Sequence, residues 1–260
     1  MYSSFIEDFS AFIHSLSLNF ERRDTLFIID KAGGETANQK LCVNLELLGH
    51  DSGEYPRNAD ITIFEDEWIT KGELVKDRIK VSLGLQRTIF ARNCHVKAIT
   101  QNDAKRFLDA NHMLGYARCH YRYGLYTLKD SGSLRRGSLV AVATFSSPRL
   151  IKRGEIVVNS YEWVRYAGLS DYRINGGMGK LMKCFVRDQN PQEIMSYSDI
   201  GWGKGDAYEK LGFTLIGKTD PILFCLKKEN LARIPAKALN NHDSLIKLRN
   251  KGNFKFIWTP

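Results

Sequence analysis

The run Asn175-Gly176-Gly177-Met178-Gly179-Lys180 follows a strand-like stretch, 155–166, and opens a helix-like one, 177–188. A strand, a glycine turn and a helix N-terminus leave backbone N–H groups that no helical carbonyl reaches. Such a corner suits a phosphate, and the helix dipole adds to the attraction. The same residues also read as an ordinary tight turn. Downstream, Asp206-Ala207-Tyr208-Glu209-Lys210-Leu211-Gly212-Phe213 carries a tyrosine on a short helix that stops at glycine. Aromatic and basic side chains interleave at Tyr116, Arg118, Tyr121, Arg122, Tyr123 and Tyr126. That mixture suits stacking on bases with charge on phosphate. At strand spacing, however, Tyr121, Tyr123 and Leu125 share one face and read equally as core. His112 and His120 flank Gly115, where each is a candidate for substrate contact or for capping.

These residues need elements to position them. The spacing of Phe5, Phe9, Phe12, Ile13 and Leu16 predicts an N-terminal helix within 1–20, and 25–30, 41–48 and 61–64 read as short strands. Loops are expected at 31–38, with Gly33 and Gly34, and at 50–58. Trp68, Leu74, Val75, Ile79 and Leu83 predict a helix over 68–83, stopped at Gly84. A second module begins near Thr88, with a strand at 94–100 and a helix at 103–110 capped by Asn102 or Asp103. A hairpin pairs 121–128 with 139–145, and a strand at 194–198 follows the glycine helix. After the tyrosine helix, 213–217 and 222–226 read as a final hairpin. Residues 229–260 form a basic extension whose last apolar run, 254–258, is placed to fold back onto the body. The expected divisions are therefore 1–87, 88–228 and 229–260.

Charge divides the chain in the same sense. Residues 1–67 hold 5 basic and 13 acidic side chains, a balance of −8, whereas the remainder holds 33 and 16, a balance of +17. A basic module suits a polyanion, whether nucleic acid or a phosphorylated cofactor. The five cysteines are scattered without a CxxC pair, which suggests neither a zinc site nor a disulfide framework and points to a reducing cytoplasm. No metal is expected. No stretch is long and apolar enough to cross a membrane, and the acidic N-terminus lacks the basic start of a signal peptide.

The glycine run and the segment Ala207-Tyr208-Glu209-Lys210-Leu211-Gly212-Phe213 together resemble the GNAT (acyl-CoA N-acyltransferase) superfamily over about residues 93–228. The resemblance implies an α/β (α+β) fold, with a mixed, mostly antiparallel sheet flanked by helices, beside a small acidic N-terminal α/β module. It implies acetyl-CoA or another acyl-CoA as donor and an amine as acceptor, possible on a nucleobase. Donor contacts fall on Val164, Arg165, Arg173, Gly176, Gly177, Met178, Gly179 and Lys180, although Ile174 stands where the family pattern has Gln or Arg. Glu162, Ser198 and Asp199 are candidate bases or partners of one, and Tyr208 is the candidate acid. Pairing with Arg165 or Arg149 is the plain alternative for Glu162, capping of the next turn for Asp199, and packing for Tyr208. His112, Arg118, His120 and Arg122 fall on the acceptor side.

A longer resemblance, over about 61–228, is to phage homing-endonuclease-like proteins and to Mom-type DNA modification enzymes. It rests on Phe64-Glu65-Asp66-Glu67-Trp68, Val75-Lys76-Asp77-Arg78-Ile79, Ala91-Arg92-Asn93-Cys94, Asn111-His112 and Ser196-Tyr197-Ser198-Asp199. It implies a nuclease-like segment ahead of the acetyltransferase-like domain, with Asp30, Glu46 and His50 as remnants of a magnesium site. No lysine follows Glu46 at the usual position, and residues 65–67 read instead as a solvated helix start. A DNA- or RNA-binding module that keeps the fold without the acyl donor is the alternative function.

Overall fold

Phe5, Phe9, Phe12 and Ile13 form the buried stripe of α1 (Ser4–Ser15), as their spacing predicts. In the computed structural model, which describes residues 4–31, 39–49, 58–239 and 245–260, this helix is followed by β1 (Phe20–Arg23), β2 (Leu26–Asp30), β3 (Lys40–Glu46), β4 (Ile61–Phe64) and α2 (Glu65–Leu83). Next come β5 (Arg87–Phe90), β6 (Cys94–Ala98), α3 (Gln101–Asn111), β7 (Tyr121–Thr127), β8 (Leu139–Phe145), β9 (Arg149–Arg153), β10 (Ile156–Gly168), β11 (Tyr172–Asn175), α4 (Gly177–Gln189) and β12 (Glu193–Asp199). The rest is α5 (Asp206–Glu209), β13 (Thr214–Lys218), β14 (Leu223–Leu226), β15 (Arg233–Pro235), β16 (Lys247–Arg249) and β17 (Asn253–Trp258). Two compact units result: Met1–Leu85 with Ser198–Asp206 and Lys218–Phe254, and Gln86–Tyr197 with Ala207–Gly217 and Lys255–Pro260. The C-terminal residues are thus shared between the units. Among the described residues, no helix is long and apolar enough to cross a membrane.

In the first unit the sheet order is β1-β2-β3-β4, antiparallel except for the parallel β3–β4 pair. The rings of Phe5, Phe9 and Phe12 pack on Trp68 of α2, and Phe9 meets Phe27 of β2 edge-on. Each such ring, fully buried, stabilises by about 2–3 kcal/mol. Helix α2 ends as expected at Gly84, whose φ of 78° is the left-handed conformation that glycine adopts freely. Register separates the two carboxylates read as nuclease remnants. Asp30 faces Lys40 and Leu26 faces Asn44, so Asp30 and Glu46 lie at opposite ends of the hairpin and share no metal. Asp30 instead pairs with Lys40 at 3.8 Å, and His50 lies outside the described residues.

The acidic helix start is not solvated. Asp66 is 2% exposed, and its carboxylate accepts two bonds from Arg233, at 2.6 and 2.8 Å. Glu67 reaches the same guanidinium at 3.1 Å. Arg233 comes from β15, in a small sheet of order β15-β14-β16 whose Leu226 and Leu248 pack on Phe64. This corrects the final hairpin: β14 pairs with β15 and β16, while β17 lies between β12 and β13.

The second unit carries the order β13-β17-β12-β10-β8-β7-β6, with β9 added on β10. Strands β6, β7, β8 and β10 are antiparallel, whereas β10 and β12 are parallel, and α4 supplies the crossover that a parallel pair requires. The expected mixed, mostly antiparallel sheet flanked by helices is what forms. Phe185 of α4 stacks on Phe145 of β8, centroids 3.8 Å apart, covering one face. Ala104, Phe107 and Leu108 of α3 cover the other face through Val142 and Ala167. The α3 cap is Thr100, whose hydroxyl accepts from the Asp103 N–H at 3.1 Å, ahead of both residues predicted for that role. Strand β11, not predicted, pairs in parallel with β5.

Candidate active site

Strands β10 and β12 pair only through Ser160–Glu193, Tyr161–Ile194 and Glu162–Met195. Beyond that point the ladder stops and a side chain takes its place: Ser196 Oγ lies 3.1 Å from the Trp163 carbonyl. The same hydroxyl lies 2.9 Å from Tyr208 Oη. Both bonds draw on the single proton of Ser196, which it shares between the Trp163 carbonyl and the Tyr208 oxygen, so the phenol's own proton is not taken up by Ser196. A tyrosine hydroxyl therefore sits at the fork of two parallel strands. Its ring stacks on Phe256 at 5.1 Å and meets Trp163 and Phe213 edge-on. Burial raises the phenol's pKa, and the Ser196 bond and the Arg165 charge oppose it in part.

Past the fork, β10 carries a register shift between Trp163 and Arg165, which displaces Val164 from regular pairing with β8. Arg165 Nε donates to the Gly115 carbonyl at 3.2 Å and Nη1 donates to that of Val164 at 2.8 Å. Tyr161 and Trp163 are buried among the rings on the α4 face, so Glu162 falls on the face of α3. There its charge raises the pKa of Arg165 against a larger lowering by burial.

The glycine corner forms as predicted, with Gly176 at φ 76° as N-cap of α4. The other two glycines serve packing. A Cβ on Gly177 would lie 2.6 Å from Ile174 Cγ2 and 2.9 Å from Tyr166 Oη, and one on Gly179 would lie 3.2 Å from Leu211 Cδ2. Ile174, in place of a polar side chain, packs inward against Gly177 and Gly168. Lys180 is corrected on two counts. Its N–H closes the first turn on the Gly176 carbonyl at 3.0 Å, and its ammonium donates to the Ala91 and Cys94 carbonyls. The backbone donors left by helix geometry are those of Gly177, Met178 and Gly179, and they fit an anion. Arg173, on β11, is exposed.

Of the residues expected to contact an acceptor, His112 ends α3 and its Nδ1 accepts from the Leu114 N–H at 3.0 Å. His120 is exposed, with its ring on Tyr121, and Arg118 is exposed. Arg122 lies beneath the 112–120 loop and donates to the Cys119 carbonyl at 3.1 Å. Tyr123 is buried, as the core reading has it, and burial pushes its phenol to about 12. Ser198 and Asp199 belong to the first unit, whereas Glu162 and Tyr208 belong to the second. Asp199 Oδ1 accepts from the Gly201 N–H at 2.7 Å and caps the turn Ile200–Trp202. Ser196 carried no assigned role in the sequence, because nothing in a serine's neighbours announces that a ladder ends beside it. Among the described residues no group of His, Cys, Asp and Glu is placed to hold a metal.

No family model matches this chain, and no curated protein matches it. Solved acetyltransferase structures are similar to part of it. A ribosomal-protein-alanine N-acetyltransferase of Escherichia coli aligns at 10% identity over 64% of this chain and 93% of its own, with a TM-score of 0.37. An acetyltransferase of Bacillus subtilis, in complex with CoA, aligns at 12% identity over 65% of this chain and 98% of its own, with a TM-score of 0.36.

Proposed function

We propose that the second unit is an acyl-CoA-dependent N-acyltransferase. The observation that carries this reading is the fork between β10 and β12 with the Tyr208 hydroxyl held at its apex. The N–H groups of Gly177, Met178 and Gly179 bind the donor's pyrophosphate, and Arg173 adds charge. The displaced edge of β10 at Val164 and Arg165 offers backbone groups to the extended part of the donor. Glu162 takes a proton from the acceptor amine as the new C–N bond forms. Tyr208 gives its proton to the sulfur as the C–S bond breaks, so the proton count balances. Glu162 is preferred to Asp199 as base because the Asp199 carboxylate is already engaged in its cap. His112, Arg118, His120 and Arg122 line the acceptor side.

Gly177→Val does not test donor binding cleanly, because the added side chain meets Ile174 and Tyr166 within the protein. Met178→Asp does. An acid in the first turn of a helix complements the dipole, so the fold is retained. The same charge repels a pyrophosphate at that corner, and acetyl-CoA affinity is expected to fall at least about tenfold. Calorimetric titration of both proteins with acetyl-CoA decides this: equal affinity moves the donor site elsewhere, and no binding to either protein removes the transferase reading.

A second reading is favoured by the +17 balance of residues 68–260 and by the exposed Arg87, Arg92, Arg118 and Arg173. It is a nucleic-acid-binding surface, either beside a nucleobase acceptor or in place of catalysis. Single-stranded DNA is expected to bind weakly, with affinity falling steeply as salt is raised. A gel-shift titration without binding at low salt rules this out.

A further inference from the structure

Strand register brings two arginines and a threonine into one row. Arg122 of β7 and Arg165 of β10 both face Thr144 of the intervening β8, so all three side chains leave the sheet on the α3 face. Cross-strand neighbours stand about 5 Å apart at Cβ, so the two arginine side chains flank Thr144 on that face. Above the row lies the 112–120 loop, to which both arginines bond through carbonyls of Gly115 and Cys119. The Tyr116 hydroxyl also contacts Arg122 and accepts from the Cys119 thiol at 3.5 Å.

Two features of the row are unmatched. Arg122 Nε and Thr144 Oγ1 are sealed from solvent without a hydrogen-bond partner, and Thr144 is 0% exposed. Among the described residues, neither arginine has a carboxylate at ion-pair distance; every ion pair joins other side chains. Two half-buried positive charges on one face, flanking an unpaired hydroxyl, cost free energy that an anion accepting from all three would recover. Glu162, whose charge is felt at Arg165, neutralises at most one of them.

We infer that Arg122, Thr144 and Arg165 form a binding site for a carboxylate or phosphate group carried by the acceptor. This rests on the transferase reading and names its substrate class: an amine that also bears an anion. A planar carboxylate or a phosphate takes forked donation from guanidinium groups, and the Thr144 hydroxyl supplies a further donor. Glu162 shares the face, so an acceptor anchored by its anion presents its amine to the proposed base.

The test uses the full chain saturated with CoA, which occupies the helix corner. The probes are inorganic phosphate and glutarate, with glutaramide as the uncharged control. Phosphate or glutarate is expected to raise the melting temperature, and glutaramide is not. In Arg122→Gln the anion's dissociation constant is expected to rise at least about tenfold. Thr144→Val keeps the shape and removes the unpaired hydroxyl, so it folds and shows the same direction of loss. A shift with phosphate alone indicates a phosphorylated acceptor, and one with glutarate alone a carboxylate. No shift with either anion, or affinity unchanged in both variants, overturns the inference while leaving CoA binding intact. Anion binding in a protein that does not bind CoA overturns the transferase reading, and the acceptor assignment with it.

Discussion

Tyr208→Phe is expected to lower turnover by about 10²–10⁴-fold, the range for loss of a positioned general acid. The ring contacts with Phe256, Trp163 and Phe213 need no hydroxyl. Ser196 keeps its bond to the Trp163 carbonyl, so the variant leaves no buried group unpaired. Folding and acetyl-CoA affinity should therefore survive, which separates chemistry from packing. Burial holds the Tyr208 phenol above its ordinary 10.0, so the group keeps its proton across neutral pH until a thiolate forms to take it. The wild-type rate is accordingly expected to fall only on an alkaline limb above pH 10, and that limb should vanish in the variant. Ser196→Ala removes the donor to the Tyr208 oxygen and leaves the phenol in place. Its effect should be much smaller, because the phenol hydroxyl is kept rather than lost. Steady-state rates of the three proteins across pH, with an identified amine acceptor, provide the measurement. Turnover unchanged in Tyr208→Phe would reduce this tyrosine to a packing residue.

What could be read in advance was what is local in the chain. Phe5, Phe9 and Phe12 announce α1 because a helix repeats every few residues, and the alternation of 121–127 and the short apolar run 139–145 announce β7 and β8. Tyr208 and the Gly176 turn were visible because each lies within a short contiguous motif. Most of the misses depend on distant partners or on strands too short to show a pattern. Segments 213–217 and 222–226 look like a hairpin until residues 233–258 supply other strands for both. Strands β1, β5 and β11 are four residues each and carry too few alternating positions to stand out. Lys180 looked like a phosphate contact because its sequence position is right, but two carbonyls near β6, more than eighty residues earlier, hold its ammonium. The Arg122–Thr144–Arg165 row exists only through the register of three strands, and register is a property of pairing that one strand's sequence does not contain.

The acidic helix start yields the other large effect, in the first unit. Glu67→Gln is expected to stabilise this unit at pH 8 and to flatten its pH dependence. Burial pushes the Glu67 carboxyl up from 4.5 to about 7; Arg233 and Arg78 oppose this, and Asp66 and Asp199 add to it. Its Oε2 is sealed without a partner, so the cost of charging it goes largely unanswered. Between pH 4.5 and 7 the folded unit holds a proton that the unfolded chain has released, so stability falls as pH rises through this window. The full penalty is reached above pH 7 and amounts to about 3 kcal/mol. Glutamine keeps the shape and carries no charge, and Arg233 retains its two bonds to Asp66. One term opposes the gain. Arg78 is buried over the Trp202 ring, 3.9 Å from its centroid, with its pKa lowered to about 10 by burial and supported by Asp199 and Glu67. Losing one of those carboxylates offsets part of the benefit, so the net stabilisation at pH 8 is about 1–2 kcal/mol. Hydrogen exchange of the α2 amides between pH 5 and pH 8, corrected for intrinsic rates, reads this unit by itself. Protection that declines with pH as steeply in Glu67→Gln as in the wild type would place the titrating group elsewhere.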